Sequence, residues 1–170
     1  ELIGGVVFRP FHDPDQWDYV LDGAVRTCKS LMAHGAEHLV LIDSISPRRA
    51  PTAGRYDEAE QMNSAEWNAF KDKIATVAKI GTQEYGLTVG IHAHAAGFID
   101  FEPEIERLLD EVDESYLKIC FDTGHHSYAG FDPSSFMRRY IHRISYMHFK
   151  DIDPIVKADV VAKRTDFYSA

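Results

Sequence analysis

The chain has 170 residues, 45% of them hydrophobic and 26% charged, an ordinary globular composition with enough apolar residues for one sizeable core. A formal net charge of -9, with nine histidines counted neutral, speaks against nucleic acid as a partner, because phosphate binding relies on a basic surface. No apolar run approaches the ~18 residues of a membrane span and no signal-peptide pattern opens the chain. The two cysteines, Cys28 and Cys120, make no disulfide framework, so a reducing, cytoplasmic setting is expected.

The first strand is predicted over 5–9. Asp13-Pro14-Asp15-Gln16 then reads as an N-cap, a proline at the first helical position and a capping-box partner, opening a helix to about His34 with Gly35 as its C-cap. A strand over 38–43 follows. Next comes the only long irregular stretch, 43–63, which carries Arg48, Arg49 and Arg55. A loop of this length inside a compact domain is either a solvated surface segment or a lid whose arginines anchor a polar or anionic substrate. Asn63 with Glu66 makes a second capping box for a helix ending near Gly86.

Further strands are predicted over 87–92, 117–122 and 144–149. Pro103 opens a helix with an acidic first turn, and Asp132-Pro133 opens another whose Arg138 and Arg139 suit its C-terminal dipole. The order is β-α repeated, and the strands are apolar on both faces, as in a parallel sheet covered by helices. An open doubly wound sheet and a (β/α)8 barrel both fit. A glycine-rich phosphate loop, which would favour the former, is absent.

The chemistry gathers at strand ends. "VGIHAHAAGF", "KICFDTGHHSYAGFDP" and "RISYMHFKDIDP" are apolar runs that end in His, Asp or Lys. Residues two apart share a face of a strand, so His92 pairs with His94, Cys120 with Asp122, and His148 with Lys150. Five of the nine histidines (His92, His94, His125, His126, His148) end three consecutive strands. Imidazole and carboxylate together suit Mn, Co, Zn or Fe. Each residue also has a plainer reading: the Asp-Thr-Gly run as a turn, His126 as structural, His142 and His34 as helix C-terminal residues, and Glu102 and Glu104 as dipole partners.

These motifs resemble the xylose-isomerase-like superfamily of sugar isomerases, epimerases and dehydratases. The "CFDTGHH" run is similar to that group's sixth-strand motif, "YMHFKD" to its seventh and "GIHAHAAG" to the end of its fifth. The likeness covers roughly 88–154 and is closest to the inosose dehydratase branch. It implies a (β/α)8 barrel, with residues 1–170 as a single domain covering roughly strands three to seven; strands one, two and eight are expected to lie outside this chain. It also implies a divalent metal (Mn, Co, Zn or Mg) at His92, Asp122 and His148, catalytic roles for His94, His125 and Lys150, and substrate contacts from His12, Arg48, Arg49 and Asp151. The implied function is a metal-dependent lyase or isomerase on a small-molecule sugar or cyclitol, foremost dehydration of a keto-inositol through an enediolate, with no nucleic-acid or membrane partner and room for a homo-oligomer. A ketose 3-epimerase or sugar isomerase is the same-class rival. A zinc phosphodiesterase of the endonuclease IV kind, or a non-catalytic binding barrel, is the rival of another class.

Overall fold

The computed structural model describes residues 2–167 and 169. Five strands, β1 (Gly4–Arg9), β2 (His38–Asp43), β3 (Thr88–Ile91), β4 (Lys118–Asp122) and β5 (Ile144–His148), form one sheet. All neighbours are parallel and the order is β1-β2-β3-β4-β5. A doubly wound sheet reverses its strand order at a switch point; this one does not, and it has the succession of a (β/α)8 barrel.

Each predicted strand is present within a residue or so. β3 is assigned to Ile91, but the amide of His92 still bonds Leu41 O at 2.9 Å, so the ladder reaches the first histidine. Alternation sorts the two faces. Val7, Leu39, Leu41, Val89, Ile91, Ile119 and Phe121 pack into the main core under the helices. Val40, Ile42 and Cys120 form a smaller cluster with Tyr146 on the opposite, inner face. On β1 the inner residues Val6 and Phe8 are exposed.

The helices are α1 (Trp17–Ala33), α2 (Ser64–Lys79), α3 (Glu102–Glu111), α4 (Thr123–Tyr128), α5 (Pro133–Tyr140) and α6 (Pro154–Lys163). The Asn63–Glu66 capping box forms with both of its bonds. Gly35 ends α1 at φ 69°, a left-handed conformation that glycine adopts without a Cβ penalty. The start of α1 differs from expectation. Asp13 caps only a 3-10 turn, Pro14–Gln16, through Asp15 N, and the α-helix begins at Trp17. Neither α4 nor α6 was foreseen.

The loop over 43–63 is no open lid. It contains two 3-10 turns, Ala50–Thr52 and Tyr56–Glu58, and it is tied down by a buried arginine described below.

Candidate active site

A β-bulge sets the site. β4 and β5 pair Ile119 with Ile144, but the register then shifts so that Cys120 meets Tyr146 and Asp122 meets His148. The extra residue, Ser145, brings the His148 imidazole level with the Asp122 carboxylate.

Asp122 is the hub. Its Oδ1 accepts the amide of His125 at 2.9 Å, capping α4. Its Oδ2 lies 3.2 Å from His92 Nε2, 2.5 Å from Lys150 Nζ and 3.4 Å from His148 Nδ1. Burial alone would raise this carboxyl's pKa. The bonds from His92, Lys150 and the His125 amide outweigh it and hold the group well below the usual carboxylate range. Thr123 and Gly124 explain the rest of the motif. Thr123 Oγ1 donates to Lys150 O at 2.6 Å and accepts from Lys150 N at 2.9 Å, pinning the end of β5 to β4. A Cβ on Gly124 would sit 2.6 Å from Lys150 Cβ, so only glycine lets Lys150 lie there.

Four imidazoles surround the hub. The His92 ring is 4.9 Å from His148, 5.3 Å from His125 and 5.9 Å from His94; His94 and His125 are 4.3 Å apart. Burial pushes His125 down to about 3, helped by His94 and His92, and burial also lowers His94 and His148. These three rings are therefore neutral near pH 7, as proton acceptors and metal ligands must be.

Ala95 assigns the two nearest rings opposite tautomers. Its carbonyl, 2.9 Å from His94 Nδ1, requires a proton on that nitrogen and leaves His94 Nε2 as an acceptor. Its amide donates to His125 Nδ1 at 3.2 Å, so the proton of neutral His125 is on Nε2.

One ligand atom each from His92, Asp122 and His125 lies within 4.8 Å of the others, a grouping able to hold a metal ion. The expected trio had His148 in place of His125. Both histidines reach the hub, but a proton-bearing Nε2 cannot ligate, and the Nδ1 of His125 is already occupied by Ala95.

Other expected residues lie elsewhere. Arg49 is 1% exposed and bonds Glu104 at 2.7 and 3.2 Å and Glu60 O at 3.0 Å. It is a buried strut for the loop, which corrects its expected role in substrate binding. Glu104, more than a dipole partner, also accepts the amides of Asp100 and Phe101. Arg48 is paired with Glu60 and Glu66. His12 donates to Asp43 Oδ1 at 2.8 Å. Asp43 follows Leu39 and Leu41 in the helix-facing series of β2. Its other oxygen holds the Phe98 amide. Together with Arg48 and Lys73, His12 lines a separate cavity of about 250 Å³. Asp151 is exposed at the rim of a cavity shared with His125 and Lys150. His126 is buried, with its Nε2 3.0 Å from Glu102.

Sequence reasoning missed Asp43, although it ends a strand just as Asp122 does. It also missed Thr123, which carries no charge to draw attention.

Among the described residues, the five parallel strands in sequential order form part of a (β/α)8-class barrel, with the imidazole cluster at their C-terminal ends. The chain belongs to the xylose isomerase-like TIM barrel family, whose pattern matches residues 3–166. Among curated proteins it is 34% identical over 124 residues to inosose dehydratase of Geobacillus kaustophilus strain HTA426, covering 73% of this chain and 39% of that protein. It is 36% identical over 87 residues to inosose dehydratase of Bacillus thuringiensis strain Al Hakam, covering 51% and 29%. The chain thus spans less than half the length of the curated relatives it matches. Among solved structures, the probable 3-DHS dehydratase AsbF of Bacillus anthracis superposes with a TM-score of 0.70 at 17% identity, covering 94% of this chain and 53% of that one. The IolI protein, solved with a zinc atom, superposes at 0.66 and 11% identity, covering 89% and 51%. These two likenesses concern the fold.

Proposed function

We propose that this chain contributes the metal and proton-transfer machinery of a divalent-metal-dependent dehydratase acting on a keto-inositol, as residues of one barrel domain in the cytoplasm. The carrying observation is the Asp122 Oδ2 atom, on which His92, His148 and Lys150 converge. Relatives named inosose dehydratase supply the substrate class.

The donor set fits a divalent ion. Three nitrogens face one carboxylate oxygen, more than its roughly two lone-pair positions accommodate well. Lys150 already brings positive charge to that atom. His92 Nδ1 is buried without a hydrogen-bond partner among the described residues. In this reading His92, Asp122 and His148 hold the ion, and mixed imidazole and carboxylate ligation suits Mn, Co or Zn more than Mg. A bound divalent ion would polarise a ketone and its neighbouring hydroxyl, making the adjacent C–H acidic.

The chain's own residues then divide the proton work. His94, neutral and with Nε2 unprotonated, takes the proton from carbon. His125, with its proton on Nε2, donates a hydrogen bond to the departing hydroxyl, which leaves as water with the proton that His94 has taken. Lys150 sets its ammonium beside the charge that develops on oxygen. Dehydration needs a proton acceptor and a hydrogen-bond donor for the leaving group, and Ala95 orients one of each in rings whose centroids are 4.3 Å apart. The test is turnover of a keto-inositol by the complete protein with and without added Mn, Co or Zn. Metal-independent turnover would overturn the metal role, and no turnover would overturn the substrate.

A further inference from the structure

Two residues other than glycine have a positive φ among those described, Arg164 at 54° and Ala96 at 67°. Arg164 ends α6, where a left-handed cap is common. Ala96 ends no helix, and its Cβ makes this conformation unfavourable. Strain of this kind persists only where the surroundings impose it, and it collects at functional sites.

The imposing contact is Asp100, whose Oδ2 accepts the Ala96 amide at 3.0 Å. Asp100 is 1% exposed, and Glu104 Oε2 accepts its own amide at 3.0 Å, so the carboxyl has little freedom to move. The Ala96 N–H and the Ala95 carbonyl belong to one peptide group. That peptide is trans, so the two point in opposite directions. With the N–H turned to Asp100, the carbonyl must face the other way, and there it accepts a hydrogen bond from His94 Nδ1 at 2.9 Å.

The neighbouring peptides are held by backbone. The His94 carbonyl accepts the Gly97 amide at 3.0 Å, and the Ala96 carbonyl accepts the Ser46 amide at 2.9 Å. Among the described residues, the Ala95–Ala96 peptide has only side chains at its two ends, Asp100 and His94. Turning it over by half a turn between its fixed neighbours would carry φ of Ala96 from 67° to about −110°, a region that residues with a Cβ favour. It would also present an N–H to His94 in place of a carbonyl. The neutral ring would then carry its proton on Nε2 and could accept none there.

We propose that Asp100 is a positioning residue of the site: by holding the Ala95–Ala96 peptide in its strained orientation, it fixes His94 in the tautomer whose Nε2 is free. This rests on the base role given to His94 above. His125 supplies an internal control. Its Nδ1 takes a hydrogen bond from the preceding peptide, through the Ala95 amide at 3.2 Å. Gly97 holds that peptide at its carbonyl, so Asp100 governs one imidazole and not the other.

The test is the tautomer of each ring, read in the complete protein by proton–nitrogen NMR correlation with isotope-labelled histidine and no paramagnetic ion. In the wild type, His94 should carry its proton on Nδ1 and His125 on Nε2. A wild-type His94 protonated on Nε2 would overturn the inference without any variant. Asp100→Leu removes the acceptor, and His94 should move to the Nε2-protonated form, or exchange between the two forms, while His125 keeps its own. Asp100→Asn keeps a carbonyl oxygen for the Ala96 amide and should leave both rings as in the wild type. Ala96→Gly added to Asp100→Leu should restore much of the His94 form, because glycine adopts positive φ without the Cβ penalty. With a keto-inositol, Asp100→Leu should lower kcat about tenfold or more and change KM little, as for a base held in the wrong protonation state. An unchanged His94 tautomer in Asp100→Leu, or an equal change in both rings, would overturn this inference whatever the enzyme turns over. A wild type without keto-inositol turnover would overturn the proposed function, and the tautomers would still decide the role of Asp100.

Discussion

Two buried carboxyls, Asp122 and Asp100, stand at 3% and 1% exposure and behave in opposite ways. Asp122 has three nitrogens on one oxygen and an amide on the other, and its pKa is held low. Asp100 has only the Ala96 amide on Oδ2, and its Oδ1 is unpartnered among the described residues. Burial pushes it up to about 7; the Ala96 bond offsets this only in part, and neighbouring Glu104 adds to the rise. Burial by itself neutralises a carboxyl; a ring of nitrogens keeps it charged. The first arrangement is built to hold positive charge. The second shapes a loop, since Asp100 fixes Ala96 at φ 67° and thereby turns the Ala95 carbonyl to His94.

The loop-shaping cluster carries the larger stability effect. Glu104→Ala removes the only carboxylate that buried Arg49 meets among the described residues, and the acceptor of two amides, and is expected to destabilise by about 3–5 kcal/mol, read as a shift in the urea midpoint. A shift below about 1 kcal/mol would show that Arg49 is not buried as described. Asp122→Asn should reverse the balance: the fold survives, but activity falls by more than the roughly 10- to 100-fold cost of losing an outer-shell metal partner. Near-normal kcat in that variant would erase the distinction between the two carboxyls.

A finer cut separates neighbours. His148→Ala should weaken metal affinity about tenfold or more, whereas His126→Ala, which loses its Glu102 bond and its packing on Phe121, Phe131 and Phe136, should cost stability and leave the affinity unchanged. Calorimetric titration with Mn or Zn decides this, and equal loss in both would contradict the assignment.

A further prediction concerns pH. Asp100 keeps its proton in the fold to about 7, whereas the unfolded chain releases it near 3.8. Its folded pKa is raised, so its contribution is complete below about 4 and is lost as pH rises through 7. Asp100→Asn has no such loss. The variant's melting temperature should therefore gain on the wild type between pH 4 and 7.5, and no further above. A difference that does not vary with pH would place Asp100's proton elsewhere.

The strands were legible because each is an apolar, β-branched or aromatic run cut off by turn residues, and the site because imidazoles at strand ends share a face two residues apart. What lay outside that reading has physical reasons. α4 is six residues long and contains Gly124 and two histidines, too short for helical periodicity to register. α6 is announced by Asp153-Pro154, the same signal read at Asp13 and Asp132, but its outer face is apolar, with Ile155 and Val156 exposed, so no amphipathic pattern marks it. Arg48 and Arg49 are adjacent and chemically identical in sequence. Both lie over Phe98, and it is the contacts with Phe101 and Glu104 that turn Arg49 inward. The bulge that aligns His148 with Asp122 left no residue-type signature at all.

The most direct test of the central claim is the metal content of the complete protein after equilibration with Mn or Zn and removal of free ion, measured by elemental mass spectrometry for the wild type and for Asp122→Asn. The account predicts close to one ion per wild-type chain and a small fraction of that in the variant. Equal occupancy in the two proteins, or an active wild type that binds no ion, would contradict it.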